Sequence, residues 1–473
     1  MLLTTRRFLP TAKTVLLDTT TEKIITLART LRFEDLSPLA IRAAKARILS
    51  TLAVSLAAYD MPAVKIARKL AQPVAAGPAA RIFGSLVATT PDMAAFVNSA
   101  MVRCLDMSDS YVMSAVSHPA DAFSSILAVA EAEHCSGGEL LLATALIYEV
   151  QCRFVEVVPY NHHGWDQTPA VALGAAVGCA RLLQLNEVQT RHAISLAITP
   201  NIALNQTRTG TLSMWKGMAG PQGARGGVFA AYLAREGMTG PDDIFEGKFG
   251  FWNQLMHGEP YTLPLPVDFK NHTFAVQQTM IKSFPTRFNC QVPVFTAQKL
   301  RTMVDINQIA TLKIESIRQA FARWMDLPEI WKPETRETAD HSLPCTVAMG
   351  MLDGTITPAM MEHDRFKDAD VLALMARCTI ELPDEFADPA PETRCCRLTA
   401  TLHNGEQVVA ETRRSLADDV ADPGWTQAVD KFTVLTKPLL ATSAREDLCA
   451  WVNDLENQSG VGELVTLTRL QVD

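Results

Sequence analysis

The chain has 473 residues, 48% of them hydrophobic and 20% charged, with a formal net charge of −8. That is the composition of a globular protein without the basic excess that nucleic-acid binding uses, and without any run of about 18 uninterrupted apolar residues it holds no expected membrane span. Ten cysteines with no CxxC pair point away from a zinc knuckle or an iron–sulfur cluster and toward free thiols in a reducing compartment.

A chain of this length exceeds one ordinary core, so two domains are expected. The first 17 residues, MLLTTRRFLPTAKTVLL, carry Arg6, Arg7 and Lys13 and no acid. They read as a weak organellar presequence or as a frayed terminus, so the expected location is cytoplasmic, or mitochondrial if the presequence is real. Ser37 and Pro38 cap and open a helix to about Ala58, with Ile41, Ala44, Ile48 and Leu52 at helical spacing. Thr90 and Pro91 start a second helix ending near Leu105, and alanine-rich helices follow at 120–134, 139–155 and 169–185. Asn186 with Gln189 forms a capping box ahead of EVQTRHAISLAI. The pattern changes after the loop HGEPYTLPLPVDF at 257–269. IATLKIES at 309–316 is β-branched with partial alternation, and Asn404–Gly405 makes a turn between alternating segments, with helices near 293–303 and 343–352. The tail at 424–456 returns to helical spacing through Trp425, Val429, Phe432, Leu448, Trp451 and Leu455. The expected fold class is therefore mostly α with a second α+β domain: a helical domain at 1–268, completed by 413–473, and an α+β domain at 269–412.

Polar residues interrupt this apolar background in a few places. CLDMSDSYVMSAVSHPAD at 104–121 places Asp106, Asp109, His118 and Asp121 in a loop between helices, where a rigid scaffold aims side chains into a cleft. For Asp109 and Asp121, capping or loop hydrogen bonds account for the residue type equally well. TRTGTLSMWKGMAGPQGARGG holds Arg208, Lys216 and Arg225 among glycines, which permit close backbone approach but do not match a phosphate-loop spacing. IKSFPTRFNCQVP brings Lys282 and Arg287, and ETRETADHSLPC brings Arg336, Asp340, His341 and Ser342. Asp340–His341–Ser342 is not read as a triad, because sequence neighbours rarely meet in that geometry. His162 and His163 lack a metal-binding pattern around them, and Cys395 and Cys396 would point to opposite faces of a strand.

Seven segments in order, LDMSDSY at 105–111, SHPAD at 117–121, YEVQCRF at 148–154, GWDQT at 164–168, MWKGMA at 214–219, IKSFP at 281–285 and ETADHSLP at 337–344, together resemble the MmgE/PrpD family, which includes 2-methylcitrate dehydratases and cis-aconitate decarboxylases. The resemblance covers nearly the whole chain and implies a helical domain with an α+β lid, assembled as a homodimer. It assigns Asp106 and His118 to the pocket of the first motif, Lys216 to the lysine after the methionine–aromatic pair and Lys282 to the lid-domain lysine. The chain departs from the decarboxylase pattern at Asp166, where that pattern has a pocket histidine, and at Cys345, where a tyrosine is frequent. Gln167 replaces the histidine of the GWDH found in dehydratase-like members. The resemblance runs closest to the dehydratase branch.

The expected catalytic set is Asp106, His118, Asp166, Lys216 and Lys282, with Arg208, Gln167, Arg287, His341 and Cys345 as substrate contacts. Imidazole titrates near the working pH, which suits His118 to proton transfer, oriented by Asp106. Asp166 is a candidate for a second proton-transfer step if burial raises its pKa. Lys216, Lys282 and Arg287 would meet the charge that develops on a substrate carboxylate. The scheme requires neither metal nor organic cofactor. It expects a di- or tricarboxylate as the small-molecule partner, and no nucleic acid or membrane. Two alternatives stand beside dehydration: a cis-aconitate-like decarboxylase or isomerase, and a non-catalytic member that binds a polycarboxylate or a protein.

Overall fold

The computed structural model describes residues 18–317, 327–387, 393–415 and 424–471. The basic N-terminal segment at 1–17 lies outside the described residues. The first part of the chain folds into helices α1 (Thr19–Thr30), α2 (Pro38–Ala57), α3 (Pro62–Leu70), α4 (Pro91–Cys104), α5 (Phe123–Ala132), α6 (Gly137–Val157), α7 (Thr168–Leu182), α8 (Glu187–Ile198) and α9 (Ala219–Arg235). Their ends follow from local chemistry. The Ser37 hydroxyl accepts from the Ala40 amide at 3.1 Å with Pro38 in the first turn of α2, and Asn186 and Gln189 exchange side-chain and main-chain bonds at the start of α8. Small residues let the helices close on one another. A Cβ on Gly227 of α9 would lie 2.4 Å from Cβ of Ala175 on α7, so that pair of helices meets only because residue 227 has no side chain.

Two hydrophobic cores result. One draws on residues between Ile24 and Ile281 and again between Ala428 and Leu470; the other lies between Phe284 and Ala410. The return of the tail is made by the helices Trp425–Thr436 and Thr442–Asn453, whose Phe432, Leu448 and Val452 sit in the first core. The crossover 272–282 also stays with that core, beyond the boundary expected near residue 269. Phe274, Val276 and Ile281 are core residues, and buried charges hold the backbone down. The Ala275 amide donates to Glu149 at 2.7 Å, Arg153 donates to Gln278 at 3.1 Å, and Arg47 of α2 donates to the Thr279 hydroxyl at 3.0 Å.

The second core is built on a four-stranded sheet of β5 (Ile309–Ser316), β6 (Cys378–Glu381), β7 (Thr393–Leu402) and β8 (Gln407–Ser415), in the order β6-β5-β7-β8, following two short hairpins β1–β2 (Ala80–Arg81, Ala88–Thr89) and β3–β4 (Tyr111–Val112, Val116–Ser117) in the first. β5 and β6 run parallel and the other two pairings are antiparallel. Helices α10 (Gln291–Arg301) and α11 (Leu343–Asp353) complete this core, and α12 (Trp425–Thr436) and α13 (Thr442–Asn453) complete the first by packing on α2. The β7–β8 turn forms at Asn404–Gly405, with Gly405 at φ +87°. Among the described residues no helix is long and apolar enough to cross a membrane.

Candidate active site

Helix α4 ends at Cys104, and Asp106, at φ +51°, turns the chain out of it. A non-glycine residue in that left-handed region costs conformational energy unless its surroundings fix it. Here they do. Ser110 exchanges two main-chain bonds of 3.0 Å with Met280, so the loop after α4 and the crossover carrying Lys282 form one short ladder. The segment from Tyr111 to Ser117, expected as plain loop, is the β3–β4 hairpin. Two-residue strands are too short to leave a periodicity that a sequence reader can detect.

Asp106 is the electrostatic centre. Arg103 donates to it at 2.7 Å, Lys282 at 2.6 Å, and the Lys216 ammonium lies 3.2 Å away. Burial opposes ionisation, but the charges of Arg103, Lys282 and Lys216 outweigh it and hold the carboxyl well below the usual carboxylate range. Lys216 also bonds both oxygens of Asp340 at 2.5 Å, and Asp340 in turn meets Nδ1 of His341 at 2.5 Å. These two sequence neighbours therefore do touch, because they lie at the end of the short turn Arg336–Ala339. Ser342 turns away to donate to the Ile330 carbonyl at 2.6 Å, so the three form no triad. Burial, with Lys216, pushes His341 down to about 3. Burial likewise lowers Lys282, against the pull of Asp106. Among the described residues Asp106, Asp340 and His341 form the one group that brings three potential metal-ligand atoms within 4.8 Å of one another. Two ammonium groups, those of Lys216 and Lys282, already contact its carboxylates.

A cavity of about 370 Å³ opens in front of this cluster, lined by Asp106, His118, Asp166, Gln167, Arg208, Lys282, Arg287 and His341 together with Arg103, Phe288 and the hairpin residues 112–116. Eight of the ten residues expected in the site thus line this one cavity. Lys216, 2% exposed, stands a layer behind and reaches the cavity through Asp106 and, by way of Asp340, through His341. His118 is 5% exposed. Its Nδ1 lies 2.8 Å from the Asp109 carbonyl and 2.9 Å from the Ser110 hydroxyl. A carbonyl only accepts, so Nδ1 carries the proton and Nε2 keeps its lone pair. Burial, then Arg103 and Lys282, hold this imidazole well below the ordinary histidine range.

Three expected roles change. Asp166 takes both donors of the Arg208 fork, at 3.1 and 3.0 Å. A two-pronged pair of this kind commits the carboxylate to orienting the guanidinium rather than to passing a proton. Gln167 lines the cavity, but both ends of its amide are engaged: its oxygen accepts from the His118 amide at 3.0 Å and its nitrogen donates to Asp121 at 2.9 Å. It supports His118. Cys345 is not in the cavity at all. It is fully buried in the second core, its amide bonded to Ser342 at 3.2 Å and its thiol against Met349, and burial pushes that thiol up. Helical phase turns it inward, away from His341. Cys345→Ala should therefore leave KM unchanged while costing about 1–2 kcal/mol in stability, read from steady-state kinetics and denaturant unfolding.

Asp109 and Asp121 make the loop contacts allowed for them. Asp109 accepts from the Ala120 amide at 3.1 Å, and Asp121, bonded to Gln167, is pushed up to about 7 by burial against the opposing charge of Arg103. Arg225 pairs with Asp92 at 3.1 Å and is absent from the cavity lining, while Arg336 donates to the Cys104 carbonyl at 2.8 Å. His162 lines the cavity mouth, and His163 packs edge-on to His257. Arg103 and Asp340 were missed as site residues. Arg103 sits at helical spacing inside an apolar segment, and only its being three residues before Asp106 hinted at a buried pair.

The described geometry can hold an organic polyanion beside a neutral imidazole. Comparison with known proteins gives it a context. Residues 22–264 match the model of the MmgE/PrpD N-terminal domain, and residues 284–457 that of the MmgE/PrpD C-terminal domain. Among similar proteins, a 2-methylcitrate dehydratase of Cupriavidus necator is 28% identical over 79% of this chain and 81% of its own length. The 2-methylcitrate dehydratase of Escherichia coli K12 is 27% identical over 85% and 87%, and the human cis-aconitate decarboxylase is 23% identical over 96% and 95%.

Proposed function

The chain belongs to the MmgE/PrpD family, and from that premise we propose that it is a hydro-lyase dehydrating 2-methylcitrate or a related alkylcitrate or tricarboxylate without a metal. The observation that carries the reading is the pairing, across one cavity, of a neutral His118 whose Nε2 has no hydrogen-bond partner among the described residues with the Lys282 ammonium.

In the proposed reaction Nε2 of His118 takes the proton from the carbon beside a substrate carboxylate. The electron pair moves into that carboxylate, whose added charge is met by Lys282 and Arg287 more strongly in the transition state than in the ground state. The pair then forms the carbon–carbon double bond as the hydroxyl leaves. Lys282, made more acidic by burial, gives that hydroxyl a proton so that it departs as water. The His118 proton afterwards returns to Lys282, which resets the site. Arg208, held by Asp166 and by the Lys216 carbonyl, places its positive charge on the cavity wall for a second carboxylate.

The test is incubation of the pure protein with methylcitrate, longer alkylcitrates, citrate and cis-aconitate, with and without chelator, followed by mass spectrometry. Loss of water without loss of carbon, insensitive to chelator, supports the proposal. Turnover removed by chelator and restored by a metal ion sinks the metal-free part. The near full-length match to a cis-aconitate decarboxylase favours decarboxylation as the second reading, and carbon dioxide release with an unsaturated dicarboxylate product would select it. Binding without turnover would select the non-catalytic alternative.

A further inference from the structure

Lys431 lies on α12, in the C-terminal return, and takes no part in lining the cavity. It is 8% exposed, and its ammonium donates to the Met107 carbonyl at 2.6 Å and the Ser50 hydroxyl at 3.0 Å. No carboxylate among the described residues pairs with it. The charged groups acting on it are Asp109, which favours the ammonium, and Lys282, which opposes it. Burial outweighs both and lowers its pKa to about 7. An apolar side chain would fill the same place without desolvating a charge. Stability therefore does not account for a lysine here.

Its contacts do. Met107 follows Asp106, the residue held at φ +51°. The carbonyls of this loop are met by cations from separate segments: Cys104 by Arg336 at 2.8 Å, Asp106 by Lys282 at 3.1 Å, Met107 by Lys431, and Val112 by Arg394 at 3.2 Å. The peptide planes that aim Asp106 at Lys282 and carry the chain on to His118 are thus held in part from outside the pocket, by Arg336, Lys431 and Arg394. We infer that Lys431 is a positioning residue for the reaction: by gripping the Met107 carbonyl it fixes the backbone of Asp106 and the loop that presents His118. The inference rests on the dehydratase reading for its kinetic arm and on the loop alone for the rest.

Lys431→Met is the variant to make. The folded pKa lies below the ordinary lysine value of 10.5, so the unfolded chain binds more protons between about pH 7 and pH 10.5 and wild-type stability rises with pH across that window. Removing the amine should therefore leave Tm at pH 6 no lower than wild type, with any gain shrinking toward pH 10. Amide exchange over residues 105–111 should accelerate about 10-fold while α12 exchanges as before. On the active substrate kcat should fall about 10-fold with KM within about 3-fold, and Lys431→Gln, which keeps an N–H donor without the charge, should recover most of the loss. A lower Tm at pH 6, failure to fold, unchanged loop exchange or unchanged kcat overturns the inference. A wild-type protein inert on every acid tested sinks the dehydratase reading instead, and the exchange and Tm measurements still decide the role of Lys431.

Discussion

His118→Ala is expected to lower kcat about 10³-fold while changing KM little. The imidazole lines the cavity with the Nε2 lone pair left open once its tautomer is fixed, and alanine supplies no base in its place. The fold should persist, because the main-chain amide of residue 118 still reaches Gln167. Wild-type pH dependence gives a second check. His118 must be neutral to accept a proton, and its pKa lies well below 6.5. The acid limb of kcat/KM therefore falls below the ordinary histidine region, and activity holds as pH drops through 6.5. Lys282 must be protonated to donate, and its pKa lies below 10.5, so activity is lost on the alkaline side earlier than an ordinary lysine would dictate. An acid limb centred at or above 6.5 would remove His118 from the role of base.

Lys282→Met should have the largest effect on both activity and stability. It removes the proposed proton donor and a charge facing the substrate carboxylate, for a loss of about 10³-fold or more in kcat/KM. It also strips one partner from a buried ion pair, a change that typically costs about 3–5 kcal/mol. Asp106 keeps Arg103 and Lys216, so the stability loss belongs at the lower end of that range. Lys282→Arg should not rescue, because a guanidinium stays protonated and cannot give a proton to the leaving hydroxyl. Asp106→Asn should cost less stability in the Lys282→Met background than in the wild type, without restoring activity, because one of its three cationic partners is already gone. A double-mutant cycle read by denaturant unfolding measures that coupling, and additive losses would mean that the two charges do not depend on each other.

The helices were the most legible part of the fold, since Ser37–Pro38 and the Asn186–Gln189 box announce themselves through side chains that satisfy the first free amides. The β7–β8 hairpin was legible through Asn404–Gly405, whose turn needs a positive φ. Strand β6, with only four residues, and the two-residue hairpins were not, because pairing partners far along the chain define them. Around the site, Asp106, His118, Lys216 and Lys282 stood out as isolated charges in apolar surroundings. Arg103 and Lys431 were obscured by the same surroundings, each a polar residue inside a largely apolar helix, while Asp340, visible in its motif, gave no sign of Lys216, a partner from another element. Cys345 was misplaced for the converse reason: motif position marked it, and only helical phase in three dimensions turns it into the core. The resemblance could name Gln167 as a departure, but its two amide contacts, to His118 and Asp121, depend on packing that no local spacing encodes.

Lys431 and Ser50 meet across 381 positions of sequence, which has a consequence for biosynthesis. A ribosome finishes the crossover and then makes the whole second domain before α12 emerges, an interval of roughly 7–30 s at about 5–20 residues/s. Through that time the nascent first half exposes the apolar side of α2 and leaves the Met107 carbonyl unheld. The loop that presents His118 cannot take its final shape co-translationally, so pausing or truncation late in translation should yield a chaperone-bound species in which the cavity is not assembled.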